Sequence, residues 1–297
     1  MNETEDLVKK SKILLFKTLN CCESQIVPIQ ALYDVTDTNL RKCVTGLAGG
    51  INNNGSTCGA VFGGALNLAI KHRASSQSWD ISSEINLIHD VQKFVRLFEQ
   101  EFGSSLCRER TGLDLKKLSG KIGLLIPSIA KGCVKQTAFT MNYISKSKIS
   151  SSNSSINSID HCSSSIFDEI KNRTGISDLY LKHLSTGLSG GIGLSGGGCA
   201  ALSAGIMLLG LIYGNNDLKN GKRRSPLRYS PPKFVKYANN LIKLFKKKFK
   251  SLECGDITNT TFKDIENFNE YRSQGHCSEI NKFIIEFIEE VLLNEQK

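Results

Sequence analysis

At 297 residues, 40% of them hydrophobic, the chain can bury two ordinary cores or one large one, and its composition is that of a soluble globular protein. Its ten cysteines follow no secretory signal, so the expected compartment is the reducing cytoplasm, where cysteines mean thiol chemistry or metal binding more often than structural disulfides. The net charge of +10 is local: Lys219 to Lys250 holds twelve Lys and Arg and no carboxylate, while the rest carries 26 basic and 28 acidic residues, which argues against nucleic acid as a partner.

In chain order, Leu7 to Leu19 has apolar residues three and four apart and reads as an amphipathic helix. Cys21 follows, in Asn20-Cys21-Cys22-Glu23-Ser24. Thr45-Gly46-Leu47-Ala48-Gly49-Gly50-Ile51 opens a Gly-rich segment that ends at Cys58-Gly59-Ala60. Ala60 to Ile70 is apolar on nearly every face and reads as a central buried helix. Ile85 to Phe102 is a second amphipathic helix, followed by Cys107 and Cys133. Lys146 to Asp160 is Ser/Asn-rich and has the composition of a flexible connector. Beyond it come Cys162, a second Gly-rich segment from Thr186, a second buried helix at Ala200 to Tyr213, amphipathic helices at Phe234 to Phe249 and Ile280 to Leu293, and Cys254 and Cys277. Period-two alternation is scarce, so the expected fold class is all-α.

The second half repeats the first. Thr186-Gly187-Leu188-Ser189-Gly190-Gly191-Ile192 matches the segment from Thr45, and the match runs without a gap through Cys58 and Cys199 at an offset of 141, with ten of twenty positions identical. Cys21 falls on Cys162 at the same offset. Cys107 and Cys133 answer to Cys254 and Cys277 with small length changes. The expected organisation is a copy over 1–145, a connector over 146–160 and a second copy over 161–297, packed as a pseudo-dimer of small helical bundles with Cys58 superimposed on Cys199. Cys22 and Cys43 are unpaired by the repeat and read as small buried hydrophobes.

Several motifs are set aside on their chemistry. Gly50 to Thr57 looks like a phosphate-binding loop but lacks the lysine. Gly187-Leu188-Ser189-Gly190-Gly191 and Gly193-Leu194-Ser195-Gly196-Gly197 fit G-x-S-x-G, yet more glycine flanks them and the first copy has Ala48 in place of Ser189. Leu188 to Tyr213 is uncharged for 26 residues, but its counterpart passes through Asn52, Asn53 and Asn54 and ends in Lys71, His72 and Arg73, so no membrane span is expected. His161 and His276 precede Cys162 and Cys277, whereas Asn20 and Gly132 stand at the same places in the first copy. The lysines between Lys243 and Lys250 interleave with Leu241, Ile242, Leu244, Phe245 and Phe249, giving an amphipathic helix with a solvated basic face, peripheral to the chemistry, that leaves an anionic surface open as a partner of 219–250.

Each copy thus reads N/H-C, then G-x-x-C-[GA]-A, then C-x-[ED]-x-T, then C, and this resembles the C-GCAxxG-C-C family of redox-active proteins. Thr57 departs from the pattern where Gly usually precedes the cysteine, and the second copy has Ala200 and Ala204. The resemblance implies a redox role with cysteines as reactive or ligating groups. A Gly-rich loop entering a helix at Cys58 or Cys199 places those sulfurs where unpaired N–H groups favour a thiolate, making them the expected low-pKa thiols; the alternative is a small residue at a tight helix crossing. Within each copy the four cysteines are expected to converge, Cys21, Cys58, Cys107 and Cys133 in one set and Cys162, Cys199, Cys254 and Cys277 in the other. The expected function is cysteine-based redox or electron transfer with an unidentified redox partner. The other reading is a non-catalytic carrier binding an iron–sulfur cluster or zinc through the same eight cysteines. No Cys-x-x-Cys occurs, so either site has to be assembled by folding.

Overall fold

A computed structural model describes residues 2–35, 37–76, 78–151, 156–214 and 230–295. In the first half the helices are α1 (Glu3–Thr18), α2 (Glu23–Leu32), α3 (Thr38–Cys43), α4 (Gly59–Ser75), α5 (Ile81–Phe102), α6 (Cys107–Thr111), α7 (Leu118–Gly123) and α8 (Pro127–Lys146). In the second they are α9 (Ser164–Thr174), α10 (Leu179–Ser185), α11 (Ala200–Tyr213), α12 (Pro232–Phe249), α13 (Cys254–Thr258), α14 (Ile265–Ser273) and α15 (Ser278–Glu295). Among the described residues the only β pairing is two isolated antiparallel bridges, Thr57 with Leu106 and Gly198 with Glu253. The fold is all-α. The order α2 to α8 recurs as α9 to α15, and among the described residues α1 has no counterpart.

The helices form where the sequence pattern and the caps agree. In α5 the Asp80 side chain accepts from the Ser83 amide, Ile85, Ile88, Val91, Val95 and Phe98 are buried at three- and four-residue spacing, and Gly103 closes the helix at φ 82°. In α12 Phe234, Ala238, Leu241, Ile242 and Phe245 are buried while Lys243 and Lys247 face outward, as expected of an amphipathic helix. The central helices α4 and α11 are buried on almost every side. Small residues let their neighbours in: a Cβ on Gly64 would strike the Phe94 ring and stand 3.0 Å from Thr140, and one on Gly205 would stand 2.9 Å from Ile284. Each central helix is thereby clasped between its own amphipathic pair, α5 with α8 and α12 with α15. Among the described residues no helix is long and apolar enough to cross a membrane.

The two halves pack as a pseudo-dimer and interlock. α11 lies against α3, and α4 against α10. Gly46 backs onto Ile206 and Phe234, and its counterpart Gly187 backs onto Leu87 and Val91. Thr57 and Gly198, which correspond at the 141-residue offset, meet each other: the Gly198 amide donates to Thr57 Oγ1 at 2.7 Å. Arg108 pairs with Glu253 at 3.0 Å, and the Asn39 amide donates to Asp178 at 3.0 Å.

The expected flexible connector is anchored at both described ends, because its polar atoms find partners. Lys71 donates to the carbonyls of Ile144 and Ser147, Ser150 donates to Asp90 from both its amide and its hydroxyl, and Asp160 pairs with Arg272 at 3.0 Å. Residues 152–155 lie outside the described residues, as do 219–229 of the basic stretch.

Candidate functional site

The Gly-rich segment explains how the cysteines are assembled. From Gly49 to Asn53, and from Gly190 to Leu194, five consecutive residues have positive φ, between 49° and 78°. Such a left-handed turn costs about 1–2 kcal/mol for each residue with a Cβ, and glycine supplies it without that strain. At Gly50 a Cβ would collide with the Ser56 backbone. The turn brings the chain back alongside the segment before α6: Cys58 N donates to Ser105 O at 2.7 Å, and Cys107 N to Ser56 O at 2.8 Å. The second half repeats this, with Cys199 N to Leu252 O at 2.8 Å and Cys254 N to Gly197 O at 2.6 Å. Second and third cysteines are thus held side by side by backbone bonds.

In the first half Cys21, Cys58, Cys107 and Cys133 all line one cavity of about 230 Å³. Its walls are mostly apolar, from Leu15, Phe16 and Leu19 of the α1 region and Leu124, Leu125 and Val134 near α8, with Asn53, Arg110, Lys121 and Gln136 as polar groups. Cys21 and Cys133 are partly exposed and the other two are buried. Cys21 sits in the turn between α1 and α2, where Asn20 Oδ1 caps α2 by accepting from the Cys22 and Glu23 amides. Cys58 is the residue just before α4 and donates to Gln136 Oε1 at 3.4 Å. All ten cysteines are free thiols.

The acidic thiol is Cys21, lowered from its ordinary 9.0 to about 7. The Cys58 thiol donating to its sulfur is the largest cause; burial opposes it, and amides including those of Gly49 and Gly59 add to it. Cys58 is pushed well above its ordinary value, first by its interaction with Cys21 and then by burial. Burial also raises Cys107, and raises Cys133 to about 12 against the opposing charge of Arg110. The expectation that Cys58 and Cys199 carry the low pKa is therefore overturned. The helix terminus is present at both, but loss of water outweighs it, and at Cys58 the thiol acts as donor rather than acceptor.

In the second half Cys162, Cys199, Cys254 and Cys277 also face one cavity, of about 10 Å³. Burial raises Cys162 to about 11 and Cys199 to about 12, and raises Cys254 strongly. The differences trace to single positions. Ala200 replaces Gly59, and a Cβ at 59 would overlap Cys21 Sγ. Ile257 and Ile280 line this cavity at the places of Arg110 and Gln136. Leu194 replaces Asn53, and Phe262 packs within 3.2 Å of where a Cβ on Gly190 would lie, whereas the matching Gly49 lines the open cavity.

Other singled-out residues fall elsewhere. Cys22 and Cys43 are fully buried, with pKa values pushed well up by burial. His161 bridges the halves, from Ser189 Oγ at 2.8 Å to Glu84 Oε2 at 3.0 Å. That Ser–His–Glu order resembles a hydrolase triad, but Ser189 is fully buried and lines none of the three cavities described for this chain. His276 is exposed and stacks on Tyr271. Although four cysteines share each cavity, among the described residues no three His, Cys, Asp or Glu side chains stand close enough together to hold a metal ion in this arrangement.

The chain matches the family model described as "Putative redox-active protein (C_GCAxxG_C_C)" twice, over residues 19–146 and 160–291. It belongs to this family. The family description gives this member a redox-related role, and its two matches coincide with the tandem copies. No curated protein and no solved structure matches the chain. Gln136, Arg110, Asn53 and Gly59, which shape the first cavity of this family member, were invisible as site residues in the sequence. Their signal was that each differs from its counterpart in an otherwise repeated frame.

Proposed function

We propose that this C_GCAxxG_C_C protein is a thiol–disulfide redox protein whose working site is in the first half, with Cys21 as nucleophile and Cys58 as the second thiol. The observation that carries this reading is the cavity itself, large enough for a small substrate, in which the partly exposed Cys21 and the buried Cys58 both stand; the Cys21 pKa, lowered to about 7, agrees with it. Near neutral pH about half of Cys21 is thiolate. It attacks one sulfur of an external disulfide RS–SR, forming the Cys21–S–S–R bond and releasing RS⁻. Cys58 then attacks Cys21 Sγ, its proton going to a departing thiolate and the second proton coming from water. RS–SR is reduced to two RSH while the two protein thiols are oxidised to one disulfide. Gln136 Oε1, 3.4 Å from the Cys58 sulfur, accepts the Cys58 proton when it is not shared with Cys21, and Cys107 and Cys133 stay protonated nearby. Cys162, Cys199, Cys254 and Cys277 act structurally.

The test is to oxidise the reduced protein with one equivalent of a small disulfide and map the product by mass spectrometry. A Cys21–Cys58 disulfide, reversed by dithiothreitol, is expected. First oxidation in the Cys162 set, or an unmodified Cys21, overturns the reading.

A further inference from the structure

Beside the cysteine cavity lies a second, larger cleft of about 840 Å³ between the two halves. One wall is a single face of α12, where Lys236, Asn239, Lys243 and Lys246 follow one another at helical spacing; the other carries Lys116 and Lys121. Asn52, Asn53 and Asn54 complete it with amide donors and acceptors, and no Asp or Glu lines it. Among the described residues none of the five lysines is in an ion pair. Glu253 and Asp114 are the carboxylates that act on Lys246, and Glu253 is already paired with Arg108. The charge crowding is felt: the Lys246 pKa is lowered, first by burial and then by Lys116 and Arg108. The cleft and the cysteine cavity share Asn53, Leu115 and Lys121, so the basic surface opens beside the thiols. The sequence placed the lysines of 219–250 away from the chemistry, but the packing of α12 across the halves brings three of them next to it.

From this arrangement we infer that the cleft binds the acidic groups of the redox substrate, which is a low-molecular-weight disulfide carrying two or more carboxylates or phosphates. Uncompensated lysines in a concave site attract such anions, and the apolar cavity next door takes the sulfur-bearing part. The substrate assignment rests on the thiol reading above; anion binding in the cleft does not. In the second half Gly193 and Leu194 stand at the places of Asn52 and Asn53, and α5 packs so closely there that a Cβ on Gly193 would stand 2.6 Å from the Gln92 amide nitrogen.

The experiment uses the reduced full-length chain and three probes: the dianionic disulfide dithiobis(nitrobenzoate), the dicationic disulfide cystamine, and inorganic pyrophosphate. At low salt the wild type is expected to react with the anionic disulfide on the order of tenfold faster than the Lys236→Gln/Lys243→Gln/Lys246→Gln variant, and the advantage should fade as salt is raised. Cystamine should gain nothing from the lysines, and exposed lysines outside the cleft, Lys9 and Lys171, should not alter the ratio when changed to Gln. Pyrophosphate should raise the wild-type melting temperature and leave the triple variant unmoved. Should the variant prove poorly folded, the salt dependence of the wild type with the two oppositely charged disulfides still decides. The same salt dependence for both disulfides, or no pyrophosphate-induced shift, overturns the inference. Alkylation of Cys21 by neutral iodoacetamide separates the two readings: a sluggish Cys21 in a protein that still binds pyrophosphate removes the redox function and keeps the anion site.

Discussion

The two halves carry the same four cysteines on the same frame, but only one holds them in an open, polar-edged cavity. Asn53, Arg110 and Gln136 line the first cavity and Gly59 backs onto Cys21 Sγ; the same places in the second half hold Leu194, Ile257, Ile280 and Ala200. The cavity shrinks from about 230 to about 10 Å³, and the first thiol moves from about 7 to about 11. Keeping the cysteines through a duplication does not keep their surroundings. What separates the two halves is the space around the sulfurs and the polar residues that edge it, and the first thiol is lowered in one half and raised by burial in the other.

The widest gap should come from the nucleophiles. At pH 7 a thiol of pKa near 7 outruns one near 11 by on the order of 10²-fold, because its much greater thiolate fraction is only partly offset by lower intrinsic nucleophilicity. Cys21→Ser should therefore abolish fast reaction with small disulfides, while Cys162→Ser should retain it. Comparable losses from both substitutions would place the chemistry in both halves.

Next in size is Gly59→Ala, which imports the Ala200 of the second half. Its Cβ overlaps Cys21 Sγ, so the sulfur must leave the Cys58 proton. The alkylation rate of Cys21 at pH 7 should fall on the order of tenfold and its pH midpoint should rise. An unchanged midpoint would show that the Cys58 hydrogen bond does not set the acidity. The smallest effect is expected at the contact between the halves. Thr57→Val leaves the buried Gly198 amide without its acceptor and should cost about 1–3 kcal/mol in denaturant unfolding, with the Cys21 midpoint unmoved.

How far the sequence went follows from what repeats and what differs. The duplication, the buried helices α4 and α11 and the amphipathic α5, α12 and α15 were legible, because identical residues at a fixed offset and apolar spacing are written into the chain. Each set of four cysteines lines one cavity, in keeping with the shared spacing of Cys21 to Cys58 and Cys162 to Cys199, but among the described residues no three of them stand close enough to share a metal ion. The short helices were not legible, because α3, α6, α10 and α13 are held by caps and tertiary contacts rather than by period. Nor was the acidic thiol. Proximity of Cys58 to a helix start pointed to the wrong member of the pair, since the outcome depends on desolvation and on which sulfur donates, and neither is encoded locally. The solvated basic face of α12 was legible, with Lys236, Lys243 and Lys247 exposed, but its place in the fold was not: only the packing of the second half on the first sets three of its lysines across from Asn53 and Lys121.

The central claim is that the two halves hold the same cysteines in different chemical states. It is tested most directly by measuring the pH dependence of iodoacetamide labelling at Cys21 and Cys162 in one sample of reduced protein, resolved by peptide mass spectrometry. Cys21 should titrate with a midpoint near pH 7 and Cys162 should stay unreactive until about pH 11; two coincident titrations near the ordinary thiol value would contradict the account.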